Sequence, residues 1–296
     1  MRRTLMLVFL LAVAGDCRSL FSQSTQASGT ALLHTFMIQA GSERGTAFSI
    51  DVDHREYWIT AKHLFTGAKH GPFGTFDHKT AEASLLDLRS EGEQGHNQHW
   101  ITETFTVLDP GKDIDILVLV PPDVLLPVEA VLGTDSKTVS IGEDCEFLGF
   151  PYGGGWRGKF EGFGYAWLPY VKHCTVSGQT TEDIIVWVLD GINNEGFSGG
   201  PVLFGNGSNQ KIFAVISGYH QEPLDVLPAQ EPTNHPTSEV PRAPGLNSRN
   251  KGNQGKQIVE ANSGFILAFD IAPAMAVIRA NPIGPLRPQS SPTDNK

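Results

Sequence analysis

The segment Gly196-Phe197-Ser198-Gly199-Gly200-Pro201 limits what this chain can fold into more than any other. Three glycines and a proline surround one serine, with apolar runs on either side at 184–189 and 202–204. Glycine lacks Cβ and takes positive φ at little cost, so such a cluster predicts a sharply bent backbone between two strands. A bend of that kind brings amide N–H groups together beside the Ser198 hydroxyl. Acyl transfer uses fixed donors of this sort, because negative charge grows on the carbonyl oxygen under attack. Read alone, the same segment is also an ordinary glycine-rich turn, so its meaning depends on the rest of the chain.

Short apolar alternations recur from Ala31 onward, with Gly, Pro, Asn and Asp at the breaks. They cover 32–38, 46–52, 57–61, 100–107 and 114–120 in the first half. The second half has 145–150, 160–167, 184–189, 202–204, 212–217 and 265–269. Many short strands with turn residues between them predict an all-β protein, a sandwich or a pair of barrels. A break at 121–137 separates two strand groups, 29–125 and 135–281. One helix is predicted at 271–280, capped by Asp270, with Ile271, Ala274, Met275 and Ile278 on one face.

The start, Met1-Arg2-Arg3 followed by an apolar run and Ala12-Val13-Ala14, reads as a secretory signal peptide over 1–14. It predicts an exported chain, periplasmic or secreted, with no membrane attachment after cleavage. Residues 15–28 read as a loose leader and 282–296 as a disordered Pro- and Ser-rich tail. Between 221 and 256 six prolines, Pro223, Pro228, Pro232, Pro236, Pro241 and Pro244, predict a long mobile insert. The net charge is −10 and no Lys/Arg cluster appears, which argues against a nucleic-acid or anionic-membrane surface. The three cysteines form no disulfide framework, although Cys145 and Cys174 can pair in an oxidising compartment and leave Cys17 free. Neither they nor His96 and His99 have metal-ligand company, so no metal is expected.

Of ten histidines, His63 stands apart because it follows directly on an apolar strand, Trp58-Ile59-Thr60-Ala61-Lys62. Asp113 and Asp115 head a second apolar run, Ile116-Leu117-Val118-Leu119. A carboxylate there is costly to bury unless it is hydrogen-bonded, and a histidine held in one tautomer is a suitable partner.

The order His63, Asp113 or Asp115, then Ser198 resembles the trypsin/chymotrypsin-like serine proteases. Thr60-Ala61-Lys62-His63 is similar to that family's Thr-Ala-x-His, and Asp115-Ile116-Leu117-Val118-Leu119 to its aspartate strand. Gly45-Thr46-Ala47-Phe48, Ile141-Gly142-Glu143-Asp144 and Gly149-Phe150-Pro151-Tyr152-Gly153 resemble segments of the bacterial high-temperature-requirement branch. The resemblance covers roughly Ala31 to Ala280. It implies two six-stranded antiparallel β-barrels with a C-terminal helix and a catalytic triad of His63, Asp115 and Ser198. Asp113 is the alternative acid. It also implies an oxyanion hole from the Gly196 and Ser198 amides, polypeptide substrates, and an acyl-enzyme route with no metal or organic cofactor. Ile192 would line the base of the primary pocket, and Ile216, Ser217, Gly218 and Tyr219 would contact the substrate backbone. Phe197 stands where trypsin-type zymogens carry an aspartate that holds a new N-terminus, so that form of activation is not expected. The chain also ends too soon for the PDZ domains of that branch.

Two other readings keep the same residues. A protease-like binding module would carry the triad in silence, and an esterase would use it on a different acyl bond. The nucleophile elbow of α/β-hydrolases is excluded, because Gly199-Gly200-Pro201 followed by Val-Leu-Phe starts a strand and not a helix.

Overall fold

The computed structural model describes residues 28–68, 71–86, 99–126, 130, 132–160, 164–180, 183–225 and 258–287. The proposed signal peptide, Cys17, His96 and residues 226–257 of the proline-rich region lie outside the described residues. No helix among the described residues is long and apolar enough to cross a membrane.

The first barrel is built from β1 (Thr35–Ala40), β2 (Glu43–Val52), β3 (Arg55–Thr60), β4 (Thr80–Leu86), β5 (Trp100–Leu108) and β6 (Leu117–Val120). These strands close in the order β1-β2-β3-β6-β5-β4, every pairing antiparallel. A two-residue strand, β7 (Gly133–Thr134), follows the crossing to the second half. The second barrel contains β8 (Asp144–Gly149), β11 (Tyr170–Gln179), β12 (Val186–Asp190), β13 (Pro201–Phe204), β14 (Lys211–Asp225) and β15 (Ile258–Asp270). Its order is β13-β8-β11-β12-β15-β14, closed by the β13–β14 pairing, and β7 adds to β14 in parallel. Between β8 and β11 stands a separate hairpin of β9 (Trp156–Phe160) and β10 (Gly164–Leu168). The all-β double barrel expected from the sequence is therefore the architecture of the chain.

Strands that look wholly apolar do so because both faces are buried. On β6, Leu117 and Leu119 fill the first barrel, while Val118 and Val120 join a different core between the barrels. The same division on β3 sends Trp58 inward and Tyr57 and Ile59 to the seam. From the other side the seam receives Leu203 of β13, Ile212 and Val215 of β14, and Phe269 of β15. Successive side chains of a strand alternate faces, so each run serves two cores at once. The C-terminal helix α3 (Ala272–Ala280) closes this seam with Ala274, Met275 and Ile278, and Asp270 accepts the Ala272 N–H at 2.7 Å.

Several elements differ from the sequence reading, each for a visible reason. Residues 32–33 belong to a helical turn, α1 (Gly29–Leu33), capped by the Ser28 side chain. The run at 160–167 is divided between β9 and β10, and residues 114–116 precede β6 as irregular backbone. β4 and β11 escape an apolar-run criterion because one face of each meets solvent, leaving only Ala83, Leu85 and Leu86 buried on β4 and Cys174 and Val176 on β11. The insert begins later than expected: Gln221 to Asp225 extend β14 and pair with Asn262 to Ile258 of β15. The segment 282–287, read as part of a disordered tail, is packed. Leu286 bridges to Arg55, and Arg287 pairs with Asp51 at 2.6 Å and Glu56 at 3.0 Å. Cys145 and Cys174 are direct cross-strand partners on β8 and β11, 5.0 Å apart at Cα, and are joined as a disulfide.

Candidate active site

β3 delivers His63 at the end of the first barrel. Thr60 donates to Thr46 O at 2.7 Å, and a single helical turn α2 (His63–Thr66) begins at once. Lys62, directly before His63, is fully buried. Its Nζ pairs with Asp109 at 2.7 Å and donates to Gly111 O at 2.6 Å and Gly74 O at 3.2 Å. These contacts hold the turn bearing His63 against residues 109–116, the stretch bearing Asp115.

Asp115 is completely buried and accepts three hydrogen bonds. Its Oδ1 takes the His63 backbone N–H at 2.8 Å, and its Oδ2 takes His63 Nδ1–H at 2.7 Å and the Ser217 hydroxyl at 2.5 Å. A carboxylate acts only as an acceptor, so it fixes the His63 proton on Nδ1 and leaves the Nε2 lone pair available. Asp113 is placed differently. Its φ is +61°, its side chain is 44% exposed, and its nearest cation is the solvent-facing Lys112 at 3.9 Å. The sequence pair Asp113/Asp115 is thus split into one surface acid and one buried partner of His63.

The second barrel supplies the loop before β13. Glycine is required there by close approach: a Cβ on Gly196 (φ +99°) would lie 2.2 Å from Phe150 O, and one on Gly199 (φ +85°) would lie 2.2 Å from Thr46 O. The loop's carbonyls are turned outward and tied. Glu195 O accepts from Tyr152 N at 2.8 Å, Gly196 O from the Thr46 hydroxyl at 2.7 Å, and Ser198 O from Thr46 N at 2.8 Å. Phe197, Gly199 and Gly200 spend their N–H groups on Asn194 O, Ile216 O and Phe197 O. The Gly196 and Ser198 amides donate to no group among the described residues. In a trans peptide the N–H points opposite to the preceding C=O, so Tyr152's hold on Glu195 O sets the Gly196 N–H direction.

His63, Ser198, Ser217, Gly218 and Tyr219 all line one cleft of about 750 Å³. The Ser198 hydroxyl itself donates to Ser217 O at 3.2 Å. Ile216 is not in the cleft; its side chain is in the core of the second barrel and its carbonyl anchors Gly199. Ile192 also departs from the expected place. The residue is 64% exposed, and the cleft is lined instead by its neighbour Asn193. Asn193 is turned inward by a 3.2 Å bond to Gly218 O, which turns Ile192 out.

Sequence reasoning missed three contributors. Thr46 was visible only as part of a resembling strand, yet it touches the loop through both N–H and hydroxyl. The buried cation of Lys62 has no signal in a linear pattern. Lys172 of β11 lies with its Nζ 5.4 Å from the Phe197 ring centre, so the ring face meets an ammonium.

No protein-family model and no curated protein matches the chain. Solved structures similar to it include the Rv3671c protease from M. tuberculosis in its active form, 13% identical, covering 84% of this chain and 81% of that one, with a TM-score of 0.42. The HtrA-type protease AlgW with a tripeptide is 13% identical over 86% of this chain, which spans 63% of AlgW, at a TM-score of 0.49. Anisep, a protease from Arthrobacter nicotinovorans, is 14% identical over 81% of this chain and 91% of its own, at 0.41. The topology itself defines the class as two closed six-stranded antiparallel β-barrels, the architecture that the resemblance in the sequence implies.

Proposed function

We propose that the chain is an exported serine endopeptidase acting through His63, Asp115 and Ser198. The observation that carries this reading is the junction of two prepared halves in one cleft. A histidine with its Nδ1 proton fixed by a buried carboxylate stands on one side, and a serine beside two unengaged amides on the other.

In this mechanism the Ser198 hydroxyl turns from Ser217 O toward His63 Nε2, which takes its proton as Oγ attacks a peptide carbonyl. The oxyanion is held by the Gly196 and Ser198 N–H groups. Asp115 stabilises the imidazolium without taking its proton. His63 then gives the proton to the leaving amine, and water repeats the sequence on the acyl-enzyme. The substrate backbone runs beside Ser217, Gly218 and Tyr219 as an added strand. The signal peptide read over 1–14 carries the export part of the proposal, with the periplasm or the cell exterior as the destination.

Incubation with an unfolded protein substrate, with products read by mass spectrometry, tests the reading. Internal cleavage by the wild type and none by Ser198→Ala is expected. Hydrolysis of activated esters without peptide cleavage would favour an esterase, and binding of peptide without turnover would favour a silent module.

A further inference from the structure

Lys172 stands beneath the loop that carries Ser198. Its Nζ donates to Ile192 O at 2.7 Å and to Asn194 Oδ1 at 2.5 Å, and it faces the Phe197 ring. The contacts are a carbonyl, an amide oxygen and an aromatic face, and none is a carboxylate. Burial lowers its pKa below that of an ordinary lysine, because the charged form is the one that loses water. Methionine or leucine would fill the same space without that cost, but would leave two loop oxygens with no donor from the protein.

The consequences run directly to the two unengaged amides. Asn194, held by Lys172 at Oδ1, receives the Phe197 N–H on its own carbonyl at 3.3 Å and donates through Nδ2 to Tyr152 OH at 3.2 Å. Tyr152 N in turn holds Glu195 O, the other end of the peptide whose N–H belongs to Gly196. Phe197 is fully buried against Phe147, ring centres 4.9 Å apart, and its carbonyl accepts from Gly200 N. Lys172 therefore touches both ends of the 192–197 turn while Thr46 holds it from the first barrel.

The geometry points to Lys172 as the positioning residue that keeps the 192–197 turn in the form presenting the Gly196 and Ser198 amides to the cleft. The inference rests on the reading of Ser198 as the nucleophile. It touches neither substrate nor reacting atoms; it acts through Ile192, Asn194 and Phe197. An ammonium suits the task because it directs several donors at once and also binds a π face. Arginine shares the charge, the donors and the affinity for aromatic rings.

The test uses the full mature chain, with Lys172→Met, Lys172→Arg and Ser198→Ala beside the wild type. Two quantities are read: fluorophosphonate inactivation, resolved into probe affinity and maximal rate, and deuterium exchange across 190–198 and at Tyr152. For Lys172→Met the expected result is a maximal rate about 10- to 100-fold lower with affinity changed less than about threefold, the pattern of a displaced oxyanion donor. Exchange across the turn should rise while the rest of the second barrel stays protected, and Lys172→Arg should restore most of the rate. Wild-type rate and exchange in Lys172→Met would overturn the inference, as would losses spread over the whole barrel. Should Lys172→Met fail to fold, Lys172→Gln is read in the same two ways. If the wild type is never labelled but Lys172→Met still loosens the turn, the nucleophile reading fails and the positioning contact stands.

Discussion

The two halves of the site are held in place by different means. The His63–Asp115 half belongs to the first barrel and is fixed mainly from within, by a fully buried carboxylate that takes two donors from His63, with one more from Ser217 of the second barrel, and by a buried lysine behind it. The Ser198 half is a loop, and its shape comes from glycines at positive φ and from contacts reaching it from elsewhere. Thr46 holds it from the opposite barrel, and Tyr152 and Lys172 from its own. The first half has little freedom to be anything else. The second is a shape chosen among backbone alternatives, so it should be the more easily disturbed by small changes and the more easily regulated.

Substitutions break or sharpen that contrast. The largest effect should come from Asp115→Asn, which leaves Nδ1 without an acceptor of fixed charge and lowers kcat/KM by about 10⁴-fold. Asp113→Asn, on a half-exposed side chain, should change it less than about threefold. Equal effects of the two variants would mean the buried acid has no special part. Lys62→Met removes one member of a buried pair and should lower the unfolding free energy by about 3–5 kcal/mol, measured by denaturant titration. Because that lysine supports the rigid half, the surviving folded protein should keep most of its activity.

A third change concerns pH. His34 is buried against Ser49, and burial, with Arg287 nearby, lowers its pKa from 6.5 to about 4. The unfolded chain takes up this proton first as pH falls, so the stability present above pH 6.5 is lost on descent toward about 4. The loss should amount to about 3 kcal/mol and be absent from His34→Gln, compared by denaturant titration at both ends of that window. A more modest effect is expected for Thr46→Val. Loss of its bonds to Gly196 O and Phe150 N should cost about 1–3 kcal/mol and slow turnover roughly tenfold. A fall in kcat greater than the fall in stability would place the damage in the loop and not in the barrel.

Much of this was legible in the chain because burial on two faces leaves a plain mark. Runs such as Ile116-Leu117-Val118-Leu119-Val120 have to lie between two cores, and a histidine or aspartate at the edge of such a run has to find a partner. Glycines around Ser198 likewise announce a backbone that no other residue tolerates. What stayed hidden was half-exposed or non-local. β11 is half-exposed, with only Cys174 and Val176 buried, and so offers no continuous apolar run, although it brings both Cys174 and Lys172 to their places. Ile192 was placed by spacing alone, and spacing carries no information on which of two adjacent residues turns inward. The bond from Asn193 to Gly218 decides that, and it joins residues 25 apart in sequence. The packed segment at 282–287 depends on ion pairs with Asp51 and Glu56, more than two hundred positions away, which composition cannot reveal.

The central claim is that Ser198 is an activated nucleophile, and covalent labelling tests it most directly. Treating the purified chain with a fluorophosphonate and mapping the adduct by mass spectrometry should give one modified residue, Ser198, formed far more slowly in His63→Ala and not at all in Ser198→Ala. A wild type that stays unlabelled under conditions where its fold is intact, or that is labelled equally well without His63, would contradict the account.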